Sequence, residues 1–143
     1  MVLKRIMTPR KQRLRRRPSL FPKKTVRLEK QMAIVVPSTK DLNKPISEKE
    51  MQARVQTVRN FLNQTFGGTT RIKGIGSYTS KGGKVVDENV VVVESFADAP
   101  DWERKKSLVA GFLQGKAGEW GQETVGYEFE GDLFLVEPIV SQV

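Results

Sequence analysis

The order of apolar and polar positions along the 143-residue chain predicts alternating strands and helices. Residues 32–37 form a short apolar run that ends in a proline, which is typical of a strand covered on both faces. After it, apolar side chains recur at spacings of four, three and four, as on one stripe of a helix: Met51, Val55, Val58 and Leu62. Ser47 and Glu50 have the spacing of a capping box at the start of this helix, and Gly67 with Gly68 ends it.

A hairpin is predicted in the middle of the chain. Residues 69–79 and 84–97 are extended in character, and residues 80–83 between them include two glycines that can adopt the positive φ angles of a tight turn. Neither the glycine motif at 74–76 nor Lys-Gly-Gly-Lys at 81–84, which contains the two turn glycines, completes a known phosphate-binding spacing. We therefore expect both to be hairpin turn glycines.

A second helix is predicted after the hairpin. Asp98 can cap its first turn and Pro100 favours its start, while its apolar side is formed by Leu108, Val109, Phe112, Leu113 and Trp120. Glycines at 111, 115 and 118 cost roughly 1 kcal/mol each relative to alanine in a helix interior. We expect either close packing of the backbone on the sheet there or an irregular last turn, with Gly121 ending the helix.

The last strand is predicted at residues 124–130, and residues 133–136 extend it or fold back upon it. The element order β-α-β-β-α-β predicts an α+β, ferredoxin-like sandwich. In that fold a four-stranded antiparallel sheet has its first and third strands in the centre and both helices on one face. The predicted organisation is a flexible basic arm at 1–31, the ferredoxin-like domain at 32–138 and a C-terminal tail at 139–143.

Four consecutive valines at 90–93 predict an apolar patch on the face that the helices leave open. Successive strand residues point to opposite faces, so two of the four should lie on that uncovered side. Open apolar faces usually mark interfaces. We therefore expect a homodimer, sheet against sheet, with Val91 and Val93 as interface residues.

Several short motifs resemble those of a family of small uncharacterised bacterial proteins, known only as a domain of unknown function. They are Phe-Gly-Gly-Thr-Thr at 66–70, Gly-Ile-Gly-Ser-Tyr at 74–78, Gly-Lys-Val-Val at 83–86, Val-Val-Val-Val-Glu at 90–94 and Gly-Gln-Glu-Thr-Val at 121–125. The resemblance covers roughly residues 33–129. It implies a ferredoxin-like α/β fold and brings no reaction or ligand with it.

Histidine and cysteine are both absent from the chain. Their absence removes the side chain that titrates near neutral pH, the thiolate nucleophile and cysteine-ligated metal centres. We therefore expect a protein that is not an enzyme and has no catalytic residue, metal site or cofactor. No apolar run approaches the roughly 18 to 20 residues that cross a bilayer, and no secretory h-region is recognisable, so a soluble, cytoplasmic protein is expected.

Positive charge is concentrated at the N-terminus. Residues 1–30 hold twelve of the 25 Lys and Arg residues and one of the 16 Asp and Glu residues, a formal charge of +11, whereas the rest of the chain carries −2. Prolines and self-repulsion favour disorder of this arm in isolation. The predicted function is binding of nucleic acid or another polyanion without reading its sequence, through Arg10, Lys11, Arg13, Arg15, Arg16, Arg17, Lys23 and Lys24.

Other interpretations stay open. The arm can be a solubilising or targeting extension, can lie on an anionic membrane, or can order on docking into a larger assembly such as a phage particle or ribonucleoprotein. A start at Met7 or Met32 would shorten or remove it. A third function is small-molecule binding or catalysis by a ferredoxin-like dimer, for which two sets of side chains are available. One is an aromatic pocket of Trp102, Trp120, Tyr78, Tyr127 and Phe129; the other is a carboxylate pair drawn from Asp87, Glu88, Glu94, Glu123, Glu128, Glu130 and Asp132.

Overall fold

The computed structural model describes residues 22–41 and 43–139, so the predicted contacts from Arg10 to Arg17 lie outside the described residues. The elements, in chain order, are β1 (Lys30–Pro37), β2 (Thr39–Lys40), β3 (Lys44–Pro45), α1 (Glu48–Phe66), β4 (Thr70–Thr79), β5 (Val85–Ala97), α2 (Ala99–Glu119), β6 (Val125–Phe129) and β7 (Asp132–Val136). Neither described helix is long and apolar enough to cross a membrane.

Five strands form one antiparallel sheet in the order β4-β5-β1-β6-β7. The α+β class, with two helices and an antiparallel sheet, is therefore as predicted, but the predicted four strands are five. The additional strand arises because Glu130 and Gly131 both adopt positive φ angles and turn the chain back, so that β7 pairs with β6. A separate two-stranded sheet joins β2 to β3.

Both helices pack on the same face of the sheet. From α1 come Val55, Val58 and Leu62, from α2 come Val109, Leu113 and Ala117, and from the strands come Met32, Ile34, Val36 and Val93. The two helices also contact each other, since the rings of Phe61 and Phe112 stack with centroids 3.9 Å apart. Burial of each large aliphatic side chain stabilises the fold by roughly 1.5–3 kcal/mol, so this one-sided core holds the layers together.

The helix ends follow the local signals of the sequence. Ser47 Oγ accepts a hydrogen bond from the backbone of Glu50 at 3.1 Å, and Gly67, at φ 96°, ends α1. Asp98 caps α2 by accepting from the backbone of Asp101 at 2.8 Å. The reciprocal half of the capping box does not form, and the Glu50 carboxylate lies 3.9 Å from Lys40 Nζ.

The glycines of α2 do not pack against the sheet. A Cβ atom built at Gly111 or Gly115 would meet nothing within 4 Å, so the predicted close approach of the backbone is wrong at these two positions. Both residues lie on the exposed side of the helix. Gly121 follows the last turn at φ 62°, as predicted for the residue that ends the helix.

The segment in front of β1 is fastened to the start of α2. Glu29 Oε1 accepts a hydrogen bond from the backbone of Ala99 at 2.9 Å, and this bond lowers the pKa of the Glu29 carboxyl. Helix N-termini favour such carboxylates because their first N–H groups have no partner within the helix. Lys23 and Lys24 are exposed beside a turn in which Thr25 N donates to Pro22 O.

Candidate functional site

The sheet has one face without helices, and strand register identifies its residues. Val93 is fully buried in the core and Val91 packs against it, so both lie on the face that the helices cover. The alternate positions Val90 and Val92 therefore lie on the open face. Two valines therefore lie on the helix-free face, as expected, but they are Val90 and Val92, both half-buried, and not Val91 and Val93. Pairing of two copies through this face stays a prediction.

Two glycines leave a gap among the side chains of the open face. Gly74 pairs with Val90 and Gly76 with Glu88, both inside β4 rather than at a hairpin turn, which corrects the prediction made for them. Ile72 and Tyr78 flank them on the same face. We call this gap the open-face groove; its floor is Gly74, Gly76 and Val90, and Glu88 and Tyr78 stand at one end.

Glu88 carries the carboxylate of the open-face groove. Its Oε1 accepts two hydrogen bonds, from Ser38 N at 3.0 Å and from Thr39 Oγ1 at 3.1 Å. Both bonds end on one oxygen, so Oε2 has no hydrogen-bond partner among residues 22–41 and 43–139. The side chain is held in position and still presents a negative oxygen.

The hairpin of β2 and β3 closes the end of the groove. Tyr78 Oη donates to Asn43 Oδ1 at 2.9 Å, while Glu88 holds the base of the same hairpin. Asp41 and Asn43 adopt φ angles of 42° and 69°, which lets the short loop reverse. Since both contacting side chains belong to the open face, the hairpin lies beside that face at the end of the groove.

Arg54 of α1 fixes the hairpin from behind. Its Nη1 donates to Pro37 O and Thr39 O, each at 2.8 Å, and Nη2 donates to Trp120 O at 3.4 Å. Burial lowers the pKa of the guanidinium, and nearby carboxylates, Glu88 among them, oppose that shift. The sequence carries one signal of this buried role that the helix prediction did not use: Arg54 precedes Val55 and lies on the same side of the helix as the apolar stripe.

The predicted aromatic pocket is only partly assembled. Trp102, Tyr127 and Phe129 line a common cleft between α2 and the last two strands, on the helix side of the sheet. Trp120 lies instead beneath Arg54, and Tyr78 is on the open face. Of the seven carboxylates considered from the sequence, only Glu88 makes the contacts of the open-face groove. The described residues contain no cluster of side chains that could hold a metal ion.

The open-face groove combines two kinds of surface. Its floor is backbone and valine, which suits a flat apolar ring lying against the sheet. Its end presents the Glu88 carboxylate, the Tyr78 hydroxyl and the Asn43 amide, which suit a cation and hydrogen-bonding groups. A cationic molecule with a flat ring therefore matches the groove.

No family model matches the sequence, and no curated protein matches it. Among solved structures, the chain is similar to a phage SAM lyase in complex with S-methyl-5'-thioadenosine, with a TM-score of 0.54 at 16% identity, over 79% of this chain and 95% of that chain. It is also similar to a phage SAM lyase in the apo state, with a TM-score of 0.50 at 17% identity, over 82% and 98% of the two chains. At these identities the likeness establishes the fold.

The comparison contradicts the predicted non-enzymatic, polyanion-binding function. Both similar structures are of an enzyme, so the missing histidine and cysteine were not a sound argument against catalysis on this fold. The absence of two residue types excludes only the chemistry that those residues perform, and carboxylate, lysine and tyrosine side chains remain available to an enzyme. The cytoplasmic location stays a prediction.

Proposed function

We propose that this protein is a lyase that binds an S-adenosyl sulfonium compound in the open-face groove and cleaves a carbon–sulfur bond. The observation that carries the proposal is the Glu88 carboxylate on the open face of a fold shared with a phage SAM lyase. The likeness supplies the fold, and the groove supplies a cation-binding group beside a surface for a ring.

The chemistry fits a chain without histidine or cysteine. When a carbon–sulfur bond of a sulfonium ion breaks, sulfur keeps the electron pair and leaves as a neutral thioether. In S-adenosylmethionine the substrate's own carboxylate oxygen can form the new bond to that carbon and close a lactone, so the charges balance and no proton is transferred. That leaving group needs no proton, so no general acid is required to assist it. The protein's task is then to bind and orient the cation, for which Glu88 Oε2, without a hydrogen-bond partner among the described residues, is available.

We further infer that the frame is ferredoxin-like with one strand added. Without β7, the spatial order of the main-sheet strands is β4-β5-β1-β6, with β1 and β5 in the centre and both helices on one face. That is the order expected from β-α-β-β-α-β connectivity. The added β7 lies beyond β6, at the edge away from β4 and the open-face groove.

The test is to incubate the full chain with S-adenosylmethionine and measure S-methyl-5'-thioadenosine by mass spectrometry. Glu88→Gln keeps an oxygen that can accept from Ser38 and Thr39 but removes the charge, so product formation should fall about 10- to 100-fold, as expected for a lost contact between charged groups. The matched control is Glu94→Gln, on the same strand and face but bonded to Gln31, and it should retain activity.

Two results would reject the proposal. One is a purified, folded protein that neither releases the thioether nor binds it by calorimetry. The other is equal activity of the Glu88 and Glu94 variants, which would locate the reaction away from the open-face groove.

A further inference from the structure

Strand β4 forms one edge of the main sheet and is long, regular and exposed. Among residues 22–41 and 43–139 it pairs only with β5. The pairing runs without a bulge from Thr70 opposite Glu94 to Thr79 opposite Val85, and every residue of β4 except Gly76 is exposed. Proteins usually protect an edge strand with a proline, a bulge or a very short length. β4 has none of these protections.

The turn after β4 shows which main-chain groups point to this edge. Ser80 N donates to Lys84 O at 2.8 Å, so these two residues form a hydrogen-bonded pair. Bonded and non-bonded pairs alternate along an antiparallel ladder, and counting back along the register makes Gly74 bonded to β5. Lys73 and Ile75, on either side of it, therefore direct their N–H and C=O groups away from β5. An added strand would find a row of donors and acceptors there.

Two cations lie beside this row of main-chain groups. Arg71 is opposite Val93 and Lys73 is opposite Val91, so both side chains are on the helix-covered side of the sheet. They are exposed, because α1 packs mainly on β5 and β1. Neither forms an ion pair with another residue in the described part of the chain. A carboxylate that approaches this edge would therefore displace no existing partner.

The charges select among the molecules that can pair with this edge. None of the ten residues of β4 is acidic, so β4 of a second copy would bring two more cations to it. A nucleic acid would match the charge but not the alternating main-chain groups. An extended peptide with acidic side chains at alternate positions matches both, since opposite charges on neighbouring strands stabilise the pair. Its other side chains would point to the open face beside Gly74 and Gly76, where apolar groups have room.

We propose that the edge of β4 binds an extended peptide in which acidic and apolar residues alternate, and that the peptide adds a strand to the main sheet. Main-chain hydrogen bonds supply the affinity, and Arg71 with Lys73 selects the acidic residues. The peptide lies along the edge of the sheet rather than in the open-face groove. Its binding does not depend on whether the groove cleaves a sulfonium compound.

The test compares three heptapeptides with blocked ends in chemical-shift titrations of the full chain. The first, Glu-Val-Glu-Val-Glu-Val-Glu, has the alternation. The second, Glu-Glu-Glu-Glu-Val-Val-Val, has the same composition without it, and the third is the first with lysine in place of glutamate. The first should bind about threefold more tightly than the second and about tenfold more tightly than the third. It should shift the amide signals of Lys73 and Ile75.

Variants of the edge separate charge from strand pairing. Arg71→Glu combined with Lys73→Glu should reverse the preference, so that the lysine peptide binds more tightly than its glutamate counterpart. Ile75→Pro removes one N–H that points to the edge, a position where strands tolerate proline, and should weaken binding of the first peptide about three- to tenfold. Ile75→Val keeps that N–H and is the matched control, which should bind normally.

Four results would overturn the proposal. They are equal affinities for the alternating and block peptides, an unchanged charge preference in the double glutamate variant, no binding of the alternating peptide, and a stable dimer in sedimentation that excludes the peptide from β4.

Discussion

The carboxylate of Asp41 occupies the space that a side chain at Gly121 would need. A Cβ atom built on Gly121 would lie 2.5 Å from Asp41 Oδ1 and 3.1 Å from the Asp41 backbone nitrogen. The two residues are also joined by a hydrogen bond from Asp41 N to Gly121 O at 3.1 Å. The end of α2 and the β2-β3 hairpin are thus in direct contact, and only glycine fits between them.

Gly121→Ala should therefore destabilise the protein by about 2–4 kcal/mol, because the backbone there is left-handed and the new Cβ clashes with the Asp41 carboxylate and lies tightly against the Asp41 backbone nitrogen. Gly111→Ala is the matched control: it lies inside α2 with open space around it and should stabilise the protein by about 0.5–1 kcal/mol. Urea unfolding of both variants measures the difference. Equal effects at the two positions would show that the contact with Asp41 is easily relieved.

Arg54→Lys should cost roughly 2–4 kcal/mol despite keeping the charge. The guanidinium serves three backbone carbonyls and lies 5.3 Å from the centre of the Trp120 ring, an arrangement that a single ammonium cannot reproduce. The carbonyls left without donors then lose stability. Chemical unfolding gives the value, and Arg59→Lys on the same helix should change it little. A loss below 0.5 kcal/mol at position 54 would contradict the anchoring role.

Tyr127→Phe should unfold at equal or higher denaturant concentration than the wild type, because it removes a buried hydroxyl that has no hydrogen-bond partner in the part of the chain that the structure describes. The pKa of Tyr127 is raised from 10.0 by burial, so above about pH 10 the unfolded chain loses this proton more readily than the folded one. The free energy of unfolding that this group contributes below that pH is then lost as the pH rises, by up to about 1.4 kcal/mol per pH unit. The variant should lack this component in unfolding experiments from pH 9 to 11. Identical slopes would mean that the hydroxyl is accessible.

Gly74→Val should close the open-face groove without harming the fold. A Cβ at this position would meet only Val90 Cγ2, at 3.9 Å, and β-branched residues suit strands, so stability should stay the same or rise by up to about 1 kcal/mol. Binding of S-methyl-5'-thioadenosine should fall at least tenfold by calorimetry. Lys73→Val, on the other face of the same strand, should bind normally. Normal binding by both variants would move the ligand elsewhere.

The features of this fold that depend on local chemistry could be predicted from the sequence. The valine stripe of α1, the Ser47 and Asp98 caps and the glycine that ends α2 each depend on residues within a few positions of each other. The sequence could not show whether residues 133–136 extend the last strand or form a fifth one. The turn before them needs Glu130 at a φ of 51°, which cannot be predicted from a glutamate. The alternation of side chains along a strand predicted that two of the four valines would lie on the helix-free face. Which two they are could be decided only from the pairing of β5 with its neighbouring strands.

The candidate site was harder to predict because it is assembled over long distances in the chain. Asn43 and Tyr78 are 35 positions apart, and Ser38 and Glu88 are 50. Glu88 has the same sequence context as the solvated carboxylates near it, and only its contacts distinguish it. The charge of the N-terminal residues predicted a site there rather than on the sheet, although the described part of that segment contacts the start of α2 and not the groove.

The bond between Glu29 and Ala99 also has a practical meaning. Along β1, Lys30 is opposite Ala97 and Pro37 is opposite Val90, so seven residues of extended chain, about 23 Å, separate the point of entry from the end that carries Glu88. A purification tag, fluorophore or surface tether coupled just ahead of Lys30 is therefore attached at the end of the sheet opposite Glu88. Immobilised protein would keep that end turned toward the bulk solution, ready for ligand-binding sensors.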